Sequence, residues 1–230
     1  ILTLYDGYGT MTWPDGRRYE GEWDKNAFVK GVMTWPDGES YDGEWKWTTE
    51  NGYGHATYPG DSEYIGKWKD GKWHGQGIYK DTGRIYEGEF RYNLFHGNGK
   101  ISFKNGDRYE GQFLNDLYHG LGEYSNNLGY HYKGSFKEGY EHGQGSYYIE
   151  SSSEKYEGRF QDGLKHGQGK YTGADDETYV GEFRKNKKEG KGIYIDENIE
   201  YEGEFKNNDF NGQGKIILAN GTKYKGQFKD

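Results

Sequence analysis

Hydrophobic and polar residues alternate with a period of two in short segments that recur along the chain. In the segment 86–90 (YEGEF), the two aromatic residues and the glycine fall on one side of a strand and the two glutamates fall on the other. The segment 97–101 (GNGKI) alternates in the same way. The polar link 91–96 has the length of a loop, and the pair Asn105-Gly106 is a hairpin-turn signal. The pattern predicts an antiparallel hairpin that is joined to the next hairpin by a tight turn.

The anchor Tyr-x-Gly-x-Phe/Trp recurs every 22 to 24 residues. Its ten copies begin at Tyr19, Tyr41, Tyr64, Tyr86, Tyr109, Tyr132, Tyr156, Tyr179, Tyr201 and Tyr224. A Gly-x-Gly element falls between anchors, except where only Gly31 is retained. A fixed period of this size indicates stacked supersecondary units. We therefore predict an all-β fold, a single-layer antiparallel meander of about ten β-hairpins that forms an elongated, twisted and curved ribbon. We expect one continuous array over 1–230 that is part of a longer chain.

Composition changes how such a sheet is expected to be stabilised. Only 31% of the residues are hydrophobic, and the chain has 24 Tyr, 11 Phe and 7 Trp, so a two-layer aliphatic core cannot be built. Glycine ordinarily weakens a strand, but a large ring from a neighbouring position can lie over the bare backbone. The sequence therefore predicts rings packed on glycines throughout one layer, with one aromatic face and one acidic face.

The charge of the chain limits its partners. The net charge of −8 disfavours non-specific binding to nucleic acid or to an anionic bilayer, because both need a surplus of Lys and Arg. Cysteine is absent, which fits a reducing compartment, and no apolar run approaches the length of a membrane span. We expect a cytoplasmic protein.

Candidate catalytic and metal-binding groups recur with the repeat. Five histidines precede a Gly-x-Gly element, but equivalent positions lie about 10 Å apart in successive repeats, too far to share one ion. Glutamate pairs such as Glu87 and Glu89 also recur, whereas an active site needs one enclosed constellation. No Gly-x-Gly element has the further residues of a phosphate-binding loop. We predict no enzyme activity, no cofactor and no metal.

The elements YEGEF, HGQG and NGDRY on a 23-residue period closely resemble the MORN repeat, and the resemblance covers essentially the whole chain. It implies a single-layer antiparallel β-ribbon. It also implies the roles in which such repeats occur: scaffolds of cilia and flagella such as radial spoke head proteins, cytoskeletal structures, membrane-junction proteins, and regulatory regions fused to enzymes. We therefore expect a scaffold in an axonemal, ciliary or cytoskeletal assembly. A phosphoinositide- or membrane-binding module, or a regulatory segment of an enzyme outside these residues, is the alternative.

The predicted binding site is an aromatic groove that receives an extended peptide, a helix or an adjacent subunit. Its predicted lining is Tyr19, Trp23, Tyr41, Trp45, Tyr64, Trp68, Tyr86, Phe90, Tyr109, Phe113, Tyr132, Phe136, Tyr156 and Phe160. A second candidate is a loop for anionic lipid, with the basic residues Arg184, Lys185, Lys187 and Lys188. Departures from the repeat at Phe28/Val29, Trp45/Trp47 and Tyr130/His131 are candidates for partner specificity, with neutral variation as the alternative. Uncapped edge strands also predict that a homodimer can form end to end.

Overall fold

The computed structural model describes residues 4–229, and the chain divides into two compact units, 1–117 and 118–230. The strands of the first unit are β1 (Gly7–Thr12), β2 (Arg18–Asp24), β3 (Ala27–Thr34), β4 (Ser40–Trp47), β5 (Thr49–Tyr58), β6 (Ser62–Lys69), β7 (Lys72–Lys80), β8 (Arg84–Arg91), β9 (Leu94–Phe103) and β10 (Arg108–Leu114). Those that belong to the second unit are β11 (Leu117–Ser125), β12 (Tyr130–Lys137), β13 (Tyr140–Ile149), β14 (Lys155–Gln161), β15 (Leu164–Thr172), β16 (Thr178–Arg184), β17 (Lys187–Ile195), β18 (Ile199–Lys206), β19 (Asp209–Leu218) and β20 (Lys223–Phe228).

Within each unit, each strand pairs antiparallel with its neighbours in sequence, so each unit is an open meander. In the first unit, for example, β8 pairs with β7 on one side and with β9 on the other. In the second unit, β16 pairs with β15 and β17 in the same way. No helix occurs in residues 4–229. The predicted all-β hairpin meander is confirmed.

The turn inside a repeat is shorter than the sequence suggested. β8 continues to Arg91 and β9 begins at Leu94, so the predicted loop 91–96 is wrong. Tyr92 and Asn93 make the whole turn, with φ of 54° and 69°. Two successive residues with positive φ match the right-handed twist of the flanking strands, which is why this turn is tight. The connection between repeats is the longer one, with four residues at 104–107.

The second glycine of each Gly-x-Gly element and the glycine of each anchor alternate in a row that crosses the strands of each unit. Gly99 is directly opposite Gly88 on one side and Gly111 on the other. In the first unit this row is Gly9, Gly21, Gly31, Gly43, Gly54, Gly66, Gly77, Gly88, Gly99 and Gly111. Its counterpart in the second unit is Gly122, Gly134, Gly145, Gly158, Gly169, Gly181, Gly192, Gly203, Gly214 and Gly226.

A tyrosine ring lies over alternate steps of this row, at the pair of glycines inside a repeat. Tyr86 is fully buried, and a Cβ atom built on Gly99 would lie 2.4 Å from its hydroxyl oxygen. The neighbouring Gly88 is equally close, because its Cβ atom would lie 2.6 Å from the same oxygen. Only glycine leaves room for the ring, so the predicted packing of aromatic rings over glycine backbone is present here.

Rings of successive repeats also contact one another, and these contacts form the core. Tyr86 meets Phe90 of its own strand and Phe113 of the next repeat edge to face, each with ring centroids 5.0 Å apart. Phe95 stacks on Tyr86 at 3.8 Å. Aromatic pairs in such geometries contribute about 0.5–1.5 kcal/mol beyond burial. A single layer is therefore held together along its length by one continuous band of rings within each unit.

Turn residues join one hairpin to the next. The side-chain oxygen of Asn93 accepts a 2.7 Å hydrogen bond from the backbone N–H of Trp73, and the Asn93 N–H donates to the Trp73 carbonyl. Asn186 makes the same pair of bonds with Lys165. These bonds fix the residue that precedes the histidine of HGxG, which matters for the site described next.

Candidate functional site

The aromatic residues predicted to line a groove are core residues. All fourteen are at most 8% exposed, with Trp45 the most exposed and Tyr19, Tyr64 and Tyr86 at 0%. The set is Tyr19, Trp23, Tyr41, Trp45, Tyr64, Trp68, Tyr86, Phe90, Tyr109, Phe113, Tyr132, Phe136, Tyr156 and Phe160. Their rings pack against glycine backbone and against one another. The solvent-exposed surface on this side of the sheet is therefore made by other residues, which the sequence pattern did not indicate.

A second row of tyrosines lies on the same face, beside the buried row. These residues stand two positions after the second glycine of Gly-x-Gly and are partly exposed. Tyr171 pairs in register with Tyr156 and Tyr179, and Tyr194 pairs with Tyr179 and Tyr201. Partial burial raises the pKa of both phenols to about 12. The face that carries the buried tyrosines and this second row is called the aromatic face below.

The residue five positions after the Phe or Trp of the anchor covers the buried tyrosine ring, and it directly precedes the histidine where the repeat has an HGxG element. An aromatic covering residue stacks on the tyrosine, and the centroid distances of four such pairs are 3.8 to 4.7 Å. The four stacked pairs are Phe28 on Tyr19, Trp73 on Tyr64, Phe95 on Tyr86 and Phe210 on Tyr201. In four other repeats the covering residue is charged: Glu50, Glu141, Lys165 and Lys188. This position brings charge onto the aromatic face.

Lys165 and Lys188 lie over tyrosine rings. The Nζ atom of Lys165 is 4.4 Å from the ring centroid of Tyr171 and donates a 3.2 Å hydrogen bond to the hydroxyl of Tyr147. Lys188 Nζ lies 4.2 Å from the Tyr194 centroid. Burial lowers the pKa of both ammonium groups, while nearby carboxylates oppose that shift. Both cations are therefore held in cation–π contact on the aromatic face.

Glu141 is held in a different way. Its carboxylate accepts a 2.6 Å hydrogen bond from the hydroxyl of Tyr130. Burial raises the pKa of the carboxyl group, and the bond from Tyr130 opposes that shift. Tyr130 was a candidate for specificity in the sequence, and its contact is with a residue on the neighbouring strand. The covering position could have been found in the sequence, because some repeats have an aromatic residue there and others a charged one.

The basic loop is divided between the two faces of the sheet. Arg184 pairs with Lys187 on the face opposite the aromatic face, and Lys187 donates to the side chain of Asn207. Lys188 lies on the aromatic face over Tyr194. Lys185 is in the turn between them, with φ of 50°. The four cations do not point at one surface, as a shared site for a lipid headgroup would need.

The opposite face carries charges of both signs. Lys100 and Glu110 form an ion pair of 3.1 Å between neighbouring strands, and Lys133 and Glu123 form another. An open cleft of about 520 Å³ lies in the first unit, and its lining includes Glu44, Lys67 and His74. Within 4–229, no group of three or more His, Cys, Asp or Glu side chains could hold a metal ion. The same residues include no helix that is long and apolar enough to cross a membrane.

The histidines of HGxG are packed with one ring nitrogen inside. The Nδ1 atoms of His74 and His96 are buried and have no hydrogen-bond partner. His74 lies with its ring centroid 5.8 Å from that of Tyr92, in the turn of the next repeat. The ring of His74 therefore packs against a turn.

The geometry defines a repeat protein, in which each hairpin repeat packs on the repeats next to it. The family model of the MORN repeat matches ten blocks of the chain, 4–17, 19–40, 41–62, 64–82, 86–108, 109–127, 132–153, 156–178, 179–198 and 201–223. The chain therefore belongs to the MORN-repeat family. Members of this family serve protein or membrane interaction and are generally non-catalytic.

No curated protein matches the sequence. Among solved structures, the chain is similar to the G-box domain of the microcephaly protein CPAP, with a TM-score of 0.38 and 10% identity over 97% of this chain and 100% of that one. It is also similar to streptogramin B lyase, with a TM-score of 0.16 and 10% identity over 100% of this chain and 86% of that one.

Proposed function

We propose that the protein is a non-enzymatic scaffold that binds partner proteins on the exposed part of its aromatic face. The observation that carries the proposal is the second row of tyrosines with its half-buried charges. Rings that are partly exposed and held by a buried row beneath them offer rigid contact area at small cost in conformational entropy. Tyr171 with Lys165 and Tyr194 with Lys188 are such units in successive repeats.

The partner is an extended peptide, a helix or an adjacent subunit. Equivalent positions in successive repeats lie about 10 Å apart, since each repeat adds two strands of about 4.8 Å. A helix advances about that far in two turns and an extended chain in three residues, so either can place a side chain on each repeat. We further propose a cytoplasmic setting in a ciliary, axonemal or cytoskeletal assembly, supported by the known scaffolds of the family. End-to-end association through the edge strands, for example as a homodimer, is a second mode of assembly that we propose.

The experiment is affinity capture of partners from a native extract with matched double variants. Tyr171→Ser with Tyr194→Ser removes two rings of the second row, and these rings are not part of the buried row. Tyr140→Ser with Tyr148→Ser is the control, because both residues are exposed on the opposite face of the same unit. We expect capture to fall at least about tenfold for the first pair, since loss of two anchor rings exceeds the 1.4 kcal/mol that corresponds to that factor.

Equal capture by the two folded double variants would refute the use of this face. Liposomes that contain phosphoinositide serve as a parallel arm for the membrane alternative. Binding to liposomes that is lost in Arg184→Gln with Lys187→Gln would favour that alternative, because these residues lie on the opposite face. The net charge of −8 argues against it.

A further inference from the structure

We propose that Glu141 and the tyrosines around it form a site that binds a cationic side chain, arginine or lysine, of a partner protein. This inference deepens the proposed function, on which it rests for the molecule that carries the cation. It names one anchor point on the aromatic face and the chemistry of its ligand.

The site lies between β12, β13 and the turn that precedes them. Glu141 is opposite Phe136 in the strand register, at the position that covers the buried ring of Tyr132. Its carboxylate accepts the 2.6 Å hydrogen bond from Tyr130, and the ring centroids of Tyr130 and Tyr147 are 5.5 Å apart. Tyr124 continues this group, with its ring centroid 6.4 Å from that of Tyr130. A carboxylate thus lies beside the faces and edges of phenol rings on a partly exposed surface.

Within residues 4–229, no basic side chain forms an ion pair with Glu141. Its carboxylate has no Lys, Arg or His nitrogen within 4.0 Å. Lys165, in the next repeat, donates to the Tyr147 hydroxyl, and the carboxylate that acts on it is Glu154. The adjacent His142 is directed at Asp162, with 3.4 Å between Nδ1 and Oδ1. A half-buried carboxylate is ordinarily paired with a cation, because desolvation penalises its charged form.

The repeat itself shows that this carboxylate is not needed for the fold. The equivalent residue is Trp73, Phe95 or Phe210 in other repeats, and each of these rings stacks on the tyrosine beneath it. Glu141 replaces that stacking with a desolvated charge. Residues that lower stability at one position of a regular fold mark sites kept for binding.

The ligand chemistry follows from what the site offers. A carboxylate attracts a cation and repels an anion, and tyrosine faces attract a cation through the ring quadrupole. An arginine guanidinium is planar, so it can bond the carboxylate and lie against a ring at the same time. A lysine ammonium can use the same groups as a point charge.

Binding of the cation is coupled to ionisation of Glu141. The titratable groups that face the carboxylate are Tyr130, Tyr132 and Tyr147. All three are phenols, which are neutral at neutral pH, and burial raises the pKa of each still further. Because the pKa of Glu141 is raised, a protonated Glu141 must release its proton before its carboxylate can bind the cation. A bound cation favours the carboxylate, so the pKa of Glu141 falls when the ligand is present and affinity rises with pH through that pKa.

The first experiment tests the site without a partner. Carbon-13 labelled glutamate carboxyl resonances are followed by NMR during titration with N-acetylarginine methylamide, and the neutral citrulline analogue is the matched ligand control. We expect the Glu141 resonance to shift in a saturable manner with arginine alone, and its pKa to fall. Glu141→Gln should abolish the response of neighbouring tyrosine resonances. Glu157→Gln removes the same charge from an exposed residue on the opposite face and should leave the response intact.

The second experiment links the site to the partner and to stability. Glu141→Phe restores the stacked residue of the other repeats, so we expect a higher melting temperature and a fall in partner capture of about tenfold or more. Glu157→Gln should change neither. The inference would be overturned if the Glu141 resonance did not shift on addition of arginine. It would also be overturned if Glu141→Phe and Glu141→Gln captured the partner at the wild-type level. If the Tyr171 and Tyr194 variants lose the partner while Glu141→Gln retains it, the proposed function stands and this inference alone fails.

Discussion

The hydroxyl of Tyr86 donates a hydrogen bond to the carbonyl oxygen of Glu89, 2.9 Å away, so that the ring bridges Gly88 in its own strand. The same bond from tyrosine to the carbonyl three residues later recurs along the chain. It joins Tyr19 to Glu22, Tyr41 to Glu44, Tyr64 to Lys67, Tyr109 to Gln112, Tyr132 to Ser135, Tyr156 to Arg159, Tyr179 to Glu182, Tyr201 to Glu204 and Tyr224 to Gln227. The motif Tyr-x-Gly is thus one structural unit in which each residue requires the other.

Alanine at Gly99 is expected to destabilise the protein by about 1–3 kcal/mol, because its Cβ atom would overlap the Tyr86 ring. The nearest atoms would be the Tyr86 hydroxyl oxygen at 2.4 Å and Cζ at 2.6 Å. Gly83→Ala is the control, since its Cβ atom would meet nothing closer than 3.5 Å. Equilibrium unfolding in urea, followed by circular dichroism, gives both values. Equal midpoints for the two variants would contradict the packing described for the glycine row.

Phenylalanine at Tyr86 keeps the ring and removes the hydrogen bond to Glu89. We expect a loss of about 0.5–1.5 kcal/mol, the net value of a typical buried hydrogen bond. Serine at the same position removes the ring and should cost about 3–5 kcal/mol, as large-to-small core substitutions do. Tyr92→Phe is the control because Tyr92 is 55% exposed and lies in a turn. If Tyr86→Phe, Tyr92→Phe and the wild type all had the same melting temperature, the hydrogen bond of Tyr86 would make no contribution to stability.

Stability is expected to fall at alkaline pH as the buried tyrosines ionise. Burial raises the pKa of Tyr19 and Tyr156 from 10.0 to about 12. The folded chain therefore holds the phenol protons more tightly than the unfolded chain does. This contribution is complete below the unfolded pKa of 10.0 and is lost as the pH rises through about 12.

Melting temperatures measured across this alkaline range, together with the phenolate absorbance, test the expectation. Tyr19→Phe carries no ionisable group at this position, so its melting temperature should fall less steeply with pH than that of the wild type. A pH profile that is identical for the two proteins would mean that Tyr19 does not contribute.

The fold could be predicted from sequence because each strand signal was repeated ten times. One copy of YEGEF is a weak signal, whereas ten copies at a constant period leave little choice but a meander of hairpins. The turn at Tyr92-Asn93 was misjudged for a local reason. Gly97 has φ of 59° and the strand register shifts there, so 94–96 belong to a bulged strand that pairs with β8, and not to a loop. Periodicity of two cannot show such a bulge.

The candidate site was only partly predictable. The sequence identified the aromatic face and the packing of rings on glycine, but it could not show that Tyr86 is buried while Tyr171 stays partly exposed. The alternation along a strand predicts on which face of the sheet a side chain lies, whereas the row of glycines determines how deeply that side chain is buried. Glu141 was overlooked because a lone glutamate in a polar sequence carries no signal until its neighbour Tyr130 is known.

The contact of each tyrosine with its own repeat and with the next has a consequence for how the protein folds. Tyr86 contacts Phe90 and Phe95 of its own repeat and Phe113 of the next repeat, so within a unit each repeat is stabilised by its neighbours in the chain. Nucleation can start at any repeat, and growth in either direction adds the same set of contacts. A weakened repeat then interrupts cooperativity at one place and leaves the flanking repeats folded.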